Sequence, residues 1–111
     1  MKTSAEMPWY VYVLHFVSGL FLANGVPHFV QGISGHPFQS PFASPPGVGE
    51  SSPIVNVVWG FANLAVGSAI LWSFLPKGAD VVYEWIAVGL GVLAMAIMLA
   101  RHFGRVRSGV R

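Results

Sequence analysis

The stretch WYVYVLHFVSGLFLANGVPHFVQ, Trp9 to Gln31, sets the class of fold to which this chain belongs. Its first half is an almost unbroken apolar run, and its second half adds the polar side chains of Asn24, His28 and Gln31. At about 1.5 Å per residue, a helix over the whole stretch can just cross a hydrocarbon core of about 30 Å, whereas the first half alone cannot. We therefore expect one membrane-spanning helix that continues through Pro27.

Two further apolar runs predict two further spanning helices. Ser52 and Pro53 form a suitable N-cap and first-turn pair for the second helix, and Pro76 with Gly78 would end it. The expected fold class is an all-α membrane protein with three transmembrane helices. It forms one domain over residues 1–111, with spans at about 9–31, 54–75 and 81–100.

The composition agrees with lipid as the solvent of this chain. Hydrophobic residues make up 54% of it and charged residues only 9%, whereas soluble domains carry about 25% charged residues. A domain this short cannot hide so much apolar surface, because small domains bury only about 60–70% of what the unfolded chain exposes. The few basic residues mostly follow the last apolar run, which indicates contact with membrane lipids and not with nucleic acid.

The positions of Lys and Arg predict how the chain is inserted. An odd number of spans places the C-terminus on the same side as the loop between the first two helices. Arginines cluster on that side, whereas the opposite side carries only Lys2 and Lys77. Because cytoplasmic flanks are enriched in Lys and Arg, we expect the N-terminus outside, and the loop and the C-terminus in the cytoplasm.

The connection between the first two spans, GISGHPFQSPFASPPGVGESSP, covers residues 32–53 and is rich in Gly, Pro and Ser. This composition predicts no regular secondary structure. Phe38 and Phe42 are nevertheless too apolar for a free linker. We therefore expect a long ordered loop that lies on the membrane face of the helices with both Phe rings beneath it, and loops of this length are often functional.

Uncharged polar residues gather at the loop end of the first two spans. On the first helix, the spacing i, i+4, i+7 aligns Asn24, His28 and Gln31. On the second helix, an equivalent spacing aligns Asn56, Gly60, Asn63 and Gly67. The first helix ends at the loop and the second begins there, so both stripes converge on one leaflet.

These stripes have two interpretations. An unpartnered polar group in hydrocarbon costs several kcal/mol, so the amides are expected to join the two helices, with Gly60 and Gly67 allowing close approach. On the first interpretation the amides do nothing more than this. On the second they line a ligand or cofactor pocket that is centred on His28 and covered by Phe38 and Phe42.

The third apolar run carries small residues at the spacing that favours close helix contacts. Ala87 with Gly91 and Ala96 with Ala100 are both small-xxx-small pairs. Either pair is accounted for by packing within the chain or by contact with a further protein. Glu84 is assigned to the end of this span, so no charged residue is expected in the interior of any span, which argues against an ion-coupled transporter.

Metal, haem and catalytic chemistry receive little support from the sequence. His15 and His28 are thirteen residues apart, which points them about 140° away from each other on a helix. Single histidines could act as axial ligands to a haem or chlorin, but nothing in the sequence requires it. No nucleophile elbow, phosphate-binding loop or H-E-x-x-H motif is present. The sequence identifies no catalytic, cofactor-binding or metal-binding residue and favours a protein that is not an enzyme.

The segment from Asn24 to Gly67 carries a dense set of motifs. They are N-x-x-P-H-F at residues 24–29, two Pro-Phe pairs in the loop, and N-x-x-W-G-x-x-N at residues 56–63. In this combination the chain resembles a group of small bacterial multi-pass inner-membrane proteins. The resemblance implies a bacterial origin and an inner-membrane location, and it assigns no catalytic or binding residue.

Two functional hypotheses follow from these observations. The first is a structural or accessory subunit that associates with itself or with a larger respiratory or photosynthetic membrane complex. It is favoured by the small-residue faces, the apolar spans and the small size. The alternative is a binding or transport module that holds a lipid, a quinone or another small solute in the polar pocket around His28.

Overall fold

The computed structural model describes residues 7–109, which are mostly helical. Their elements, in chain order, are α1 (Trp9–Ile33), β1 (Phe38–Gln39), β2 (Glu50–Ser51), α2 (Pro53–Ser73) and α3 (Val81–Ser108). Within this part of the chain, three helices are long and apolar enough to span a membrane. The predicted number of such helices is therefore confirmed.

The first two helices lie close to their predicted positions. Ser52 caps α2, because its hydroxyl accepts a hydrogen bond from the Val55 N–H at 3.2 Å, and Pro53 is the first helical residue. α1 continues through Pro27, as expected, and ends at Ile33.

The third helix is longer than the predicted span, which ended at Ala100. It continues to Ser108, so that part of the arginine-rich tail is helical, with Arg105 and Arg107 in its last turn. Cations are favourable at this end of a helix because they offset the partial negative charge of its unpaired carbonyl groups. Gly109 ends the helix in the left-handed conformation, with φ at 81°.

The loop contains a short sheet, so the prediction of no regular secondary structure was wrong. β1 and β2 pair antiparallel, with Phe38 opposite Ser51 and Gln39 opposite Glu50. Inside the loop, the Gly47 N–H donates to the Ser40 carbonyl at 2.8 Å. This pairing satisfies backbone groups between residues far apart in the chain, which the local composition does not reveal.

Helix α1 is the centre of the fold. It packs against both α2 and α3, whereas α2 and α3 make few contacts with each other. The buried face of α1 consists of small and polar residues with one valine: Val11, His15, Ser18, Gly19, Gly25, His28 and Gly32. Most of the large apolar side chains in the described residues are exposed on the outside of the three helices.

Glycines bring the helix backbones into direct contact. A Cβ atom on Gly91 of α3 would collide with the Phe16 carbonyl oxygen of α1, and one on Gly60 of α2 would lie 2.5 Å from the Phe29 nitrogen. A Cβ on Gly67 would lie 2.9 Å from the Ser18 carbonyl oxygen. Such distances leave no space for a side chain, so the two helix pairs depend on these glycines.

A matched pair of substitutions tests this packing. Gly91→Ala would force α1 and α3 apart, and we expect it to lower the free energy of unfolding by about 1–3 kcal/mol. Gly89→Ala lies two residues away with no atom within 4 Å of the new Cβ, and the better helix propensity of Ala should leave stability unchanged or raise it by up to about 1 kcal/mol. Thermal unfolding in detergent compares the two variants. Equal melting temperatures would contradict the backbone contact.

Candidate functional site

The centre of the polar region is a hydrogen bond between His28 and Asn56, which are 3% and 0% exposed. The Nδ1 atom of His28 lies 2.8 Å from the Asn56 side-chain oxygen. The Asn56 amide nitrogen lies 3.0 to 3.2 Å from three backbone carbonyl oxygens, those of Phe38, Ser51 and Ser52. One asparagine therefore links α1 to both strands of the loop and to the start of α2.

These contacts define how the His28 ring is protonated. The Asn56 nitrogen already donates to carbonyl groups, so the Asn56 oxygen faces His28 and acts as an acceptor. The Nδ1 atom of His28 must then donate, which leaves Nε2 of the neutral ring with a free lone pair. No group among residues 7–109 makes a hydrogen bond to this Nε2 atom.

A second amide pair lies further from the loop. The Asn24 nitrogen donates to the Asn63 oxygen at 3.0 Å, and the Asn63 nitrogen donates to the Trp59 carbonyl at 2.8 Å. Both asparagines are thus engaged across the contact between α1 and α2. The structure brings Asn24, His28, Asn56 and Asn63 together.

The C-terminal part of α3 covers the polar region. The Phe103 ring lies 4.7 Å from the Phe38 ring, and the guanidinium group of Arg107 lies 5.4 Å from the centre of that same ring. The Nε2 atom of His102 donates to the Gly47 carbonyl at 2.7 Å, which ties α3 to the loop. All three α3 residues lie beyond the predicted end of this helix.

Beneath the loop is a polar pocket of about 170 Å³. Its walls come from all three helices and the loop and include Asn24, His28, Gln39, Ser40, Trp59, His102 and Phe103. We call this space the polar pocket.

An apolar groove of about 290 Å³ adjoins the polar pocket. It is lined by Leu20, Phe21, Asn24, Trp59, Asn63 and Met95, and we call it the α2–α3 groove because it lies between these two helices. Asn24 and Trp59 line both spaces, so the groove and the pocket are neighbours. The indole nitrogen of Trp59 has no acceptor among the described residues.

Two predicted site residues lie elsewhere. Gln31 is outside the polar pocket, since its side-chain oxygen lies 3.1 Å from Nδ1 of the exposed His36. It sits almost one helical turn beyond His28, where the chain already turns into the loop.

Phe42 is 64% exposed and not beneath the loop, because the turn after Pro41 carries its ring to the outer edge of Trp59, 5.0 Å away. Phe38, by contrast, is buried as expected.

The structure also contains a buried pair that the sequence analysis missed. Glu84, which was assigned to a helix end, and His15 are both 0% exposed, and Nδ1 of His15 lies 4.0 Å from Oε1 of Glu84. Glu84 lies seven residues before Gly91, so it shares the face of α3 that packs on α1. That spacing is the signal that could have identified it.

Comparisons with protein families, with curated proteins and with solved structures found no match to this chain. Within residues 7–109, no three His, Cys, Asp or Glu side chains lie close enough together to hold a metal ion. The fold therefore defines the class as a helical protein with three helices able to span a membrane, and the site has to be interpreted from its own geometry.

Replacing Asn56 tests its role as the anchor of the loop. Asn56→Ala would remove the side-chain donor to the Phe38 and Ser51 carbonyl groups and the acceptor of the His28 N–H, and we expect the free energy of unfolding to fall by about 3 kcal/mol. Cleavage of the loop by added protease should become faster for the same reason. Gln31→Ala removes an exposed amide and should change neither property. Equal protease resistance of the two variants would show that Asn56 does not hold the loop.

Proposed function

We propose that this protein is a binding protein of the bacterial inner membrane that holds one amphiphilic molecule. Its chain would lie in the α2–α3 groove and its head in the polar pocket. The observation that carries the proposal is that these two spaces adjoin, with Asn24 and Trp59 in the walls of both. An apolar space beside a smaller one whose walls include imidazole, amide and hydroxyl groups matches the two halves of an amphiphile.

The shape of the fold supports the position of the chain. α2 and α3 each pack on α1 and make few contacts with each other, so the groove between them opens sideways along the helices. An acyl or isoprenoid chain could therefore enter directly from the bilayer. The combined size of groove and pocket is in the lower part of the range of small-molecule sites, which is about 300–1,000 Å³.

The chemistry of the pocket supports a head that carries a hydrogen-bond donor. The Nε2 atom of His28 is an acceptor, and the ring is held in place because Nδ1 donates to Asn56 at 2.8 Å. A hydroxyl group on the ligand could donate to this nitrogen. The favoured ligand class is therefore a neutral amphiphile with a hydroxyl head group.

The orientation of the protein gives the leaflet in which the head would lie. The loop and the arginine-rich end of α3 lie on the same side of the polar pocket, and His102 joins them. With cytoplasmic flanks enriched in Lys and Arg, this end faces the cytoplasm and the N-terminus faces outward. The ligand would thus be drawn from the cytoplasmic leaflet.

A single substitution distinguishes the roles of the two ring nitrogens of His28. His28→Asn keeps an N–H donor near the position of Nδ1, which can still bond Asn56, and has no atom at the position of Nε2. In lipid nanodiscs, we expect wild-type protein to bind hexadecanol more tightly than hexadecyl methyl ether, which lacks the donor. One neutral hydrogen bond corresponds to a difference of about three- to tenfold, and His28→Asn should abolish it. Native mass spectrometry measures the occupancy.

A second pair of variants tests the groove itself. Met95→Trp would fill the α2–α3 groove and should abolish binding of both probes. Met98→Trp is the control, because Met98 is 55% exposed and does not line this groove. Equal binding of the two probes by wild-type protein, or binding that survives Met95→Trp, would contradict the proposal.

A second candidate function is that of an accessory subunit of a homo-oligomer or of a larger membrane complex. The observation that favours it is that one small-residue pair of α3 packs on α1, whereas the other is exposed. Gly91 is buried against α1, and Ala87 lies beside it on the half-buried face. Ala96 and Ala100 are instead exposed and line an apolar groove of about 420 Å³, with Pro27 on its other wall.

The exposed pair continues toward the C-terminus. Gly104 lies four residues after Ala100, and a Cβ at Gly104 would have no atom within 4 Å. Three small residues in register form a surface on which another transmembrane helix can pack closely. We propose such a helix, from a partner subunit or from a second copy, as the occupant of this surface.

Two leucine substitutions test the helix contact. Ala96→Leu would fill the contact surface, and we expect it to weaken association about tenfold or more, the cost of inserting a large side chain into a packed interface. Ala94→Leu is two residues away, on the opposite side of α3, and should have no effect. The mass of the assembly extracted from the native membrane, measured by light scattering, distinguishes the variants. An unchanged mass for Ala96→Leu would rule out this surface.

A further inference from the structure

The end of the fold opposite the polar pocket contains a carboxyl group and an imidazole ring that no solvent reaches. His15 comes from the second turn of α1 and Glu84 from the first turn of α3, and both are 0% exposed. The Nδ1 atom of His15 faces a carboxylate oxygen of Glu84 at 4.0 Å. Ionisable groups within helices of this kind are rare and costly, and they are often functional.

The other nitrogen of His15 defines the protonation of the ring. Nε2 lies 2.5 Å from the backbone carbonyl oxygen of Phe74, at the end of α2. A carbonyl oxygen only accepts, so Nε2 carries a hydrogen. In the neutral ring, Nδ1 is then a bare acceptor, and it has no hydrogen-bond partner among the described residues.

The carboxyl group of Glu84 likewise lacks hydrogen-bond partners among the described residues. Neither of its oxygens has a hydrogen-bond donor among residues 7–109. A neutral His15 and an ionised Glu84 would therefore face each other with lone pairs only, and an uncompensated charge would be buried in apolar surroundings. Such a state is strongly unfavourable.

One proton removes this conflict in either of two ways. Glu84 becomes a neutral acid whose O–H points to Nδ1, or His15 becomes a cation that pairs with the Glu84 anion. In both forms the pair gains one proton and its total charge rises from −1 to 0. We propose that His15 and Glu84 form a buried site that binds a single proton.

The surroundings of the pair indicate where the proton enters. On α1, Tyr12 lies one turn before His15 and close to Asp80, Tyr83 and Glu84. Asp80 and Tyr83 lie at the start of α3, and Lys77 in the preceding connection is exposed. From α2 the pair meets the Phe74 carbonyl group. Protons would reach the pair from the side of the α2–α3 connection, past Asp80 and Tyr12.

The first test measures the proton directly. In nanodiscs at pH 7, nitrogen and carbon NMR of labelled histidine and glutamate reports the protonation of each group. We expect either a protonated Glu84 carboxyl group or a His15 ring with hydrogen on both nitrogens. Glu84→Gln and His15→Gln assign the signals, and Glu50→Gln in the loop is the exposed control. A neutral His15 together with an ionised Glu84 would overturn the proposal.

The second test uses stability. A proton bound by the folded pair and not by the unfolded chain would stabilise the fold, so its removal at rising pH should lower stability. Between about pH 7 and about pH 10, we expect the melting temperature of wild-type protein to fall by at least about 4 °C more than that of Glu84→Gln, whose amide can donate to Nδ1 without titrating. Glu50→Gln should follow the wild type. Parallel curves for Glu84→Gln and wild type would overturn the proposal.

Discussion

The backbone of α1 touches the backbones of both α2 and α3, at Gly60 and at Gly91, and the rest of the structure depends on this proximity. In a membrane, which these helices are long and apolar enough to span, helices gain little from burying apolar surface, so close packing and hydrogen bonding have to hold them together. Glycine permits close packing, and the polar side chains on the buried face of α1 supply hydrogen bonds. This explains why the buried face of the central helix is less apolar than its exposed face.

The same arrangement creates the spaces between the helices. Because α1 is in contact with both neighbours, α2 and α3 diverge around it and leave the α2–α3 groove open to the side. The loop forms part of the wall of the adjoining polar pocket, held there by Asn56 and by the contact of His102 with Gly47. The proposed site for an amphiphile and the support for the loop are thus two consequences of one geometry.

The two buried imidazole rings differ in what they face. His28 meets a neutral amide and keeps one nitrogen free, which suits recognition of a ligand without a change of charge. His15 faces the carboxyl group of Glu84, with Nδ1 4.0 Å from Oε1. They lie toward opposite ends of α1. The exposed small residues Ala96, Ala100 and Gly104 form a further surface on the outside of α3.

Local patterns in the sequence were sufficient for the three helices, for the polar faces of α1 and α2, and for the cap at Ser52, because apolar runs and helical spacing act over a few residues. They did not reveal the β1–β2 pair, the exposed position of Phe42, or the partner of Gln31. Spacing also indicated which face Glu84 occupies, yet the contact with His15 joins residues 69 apart and depends on how α1 and α3 cross. Periodicity specifies the side of a helix on which a residue lies. The residue that it contacts on that side is determined when the helices pack, because contact distances of 3 to 4 Å follow from the angle and depth of that packing.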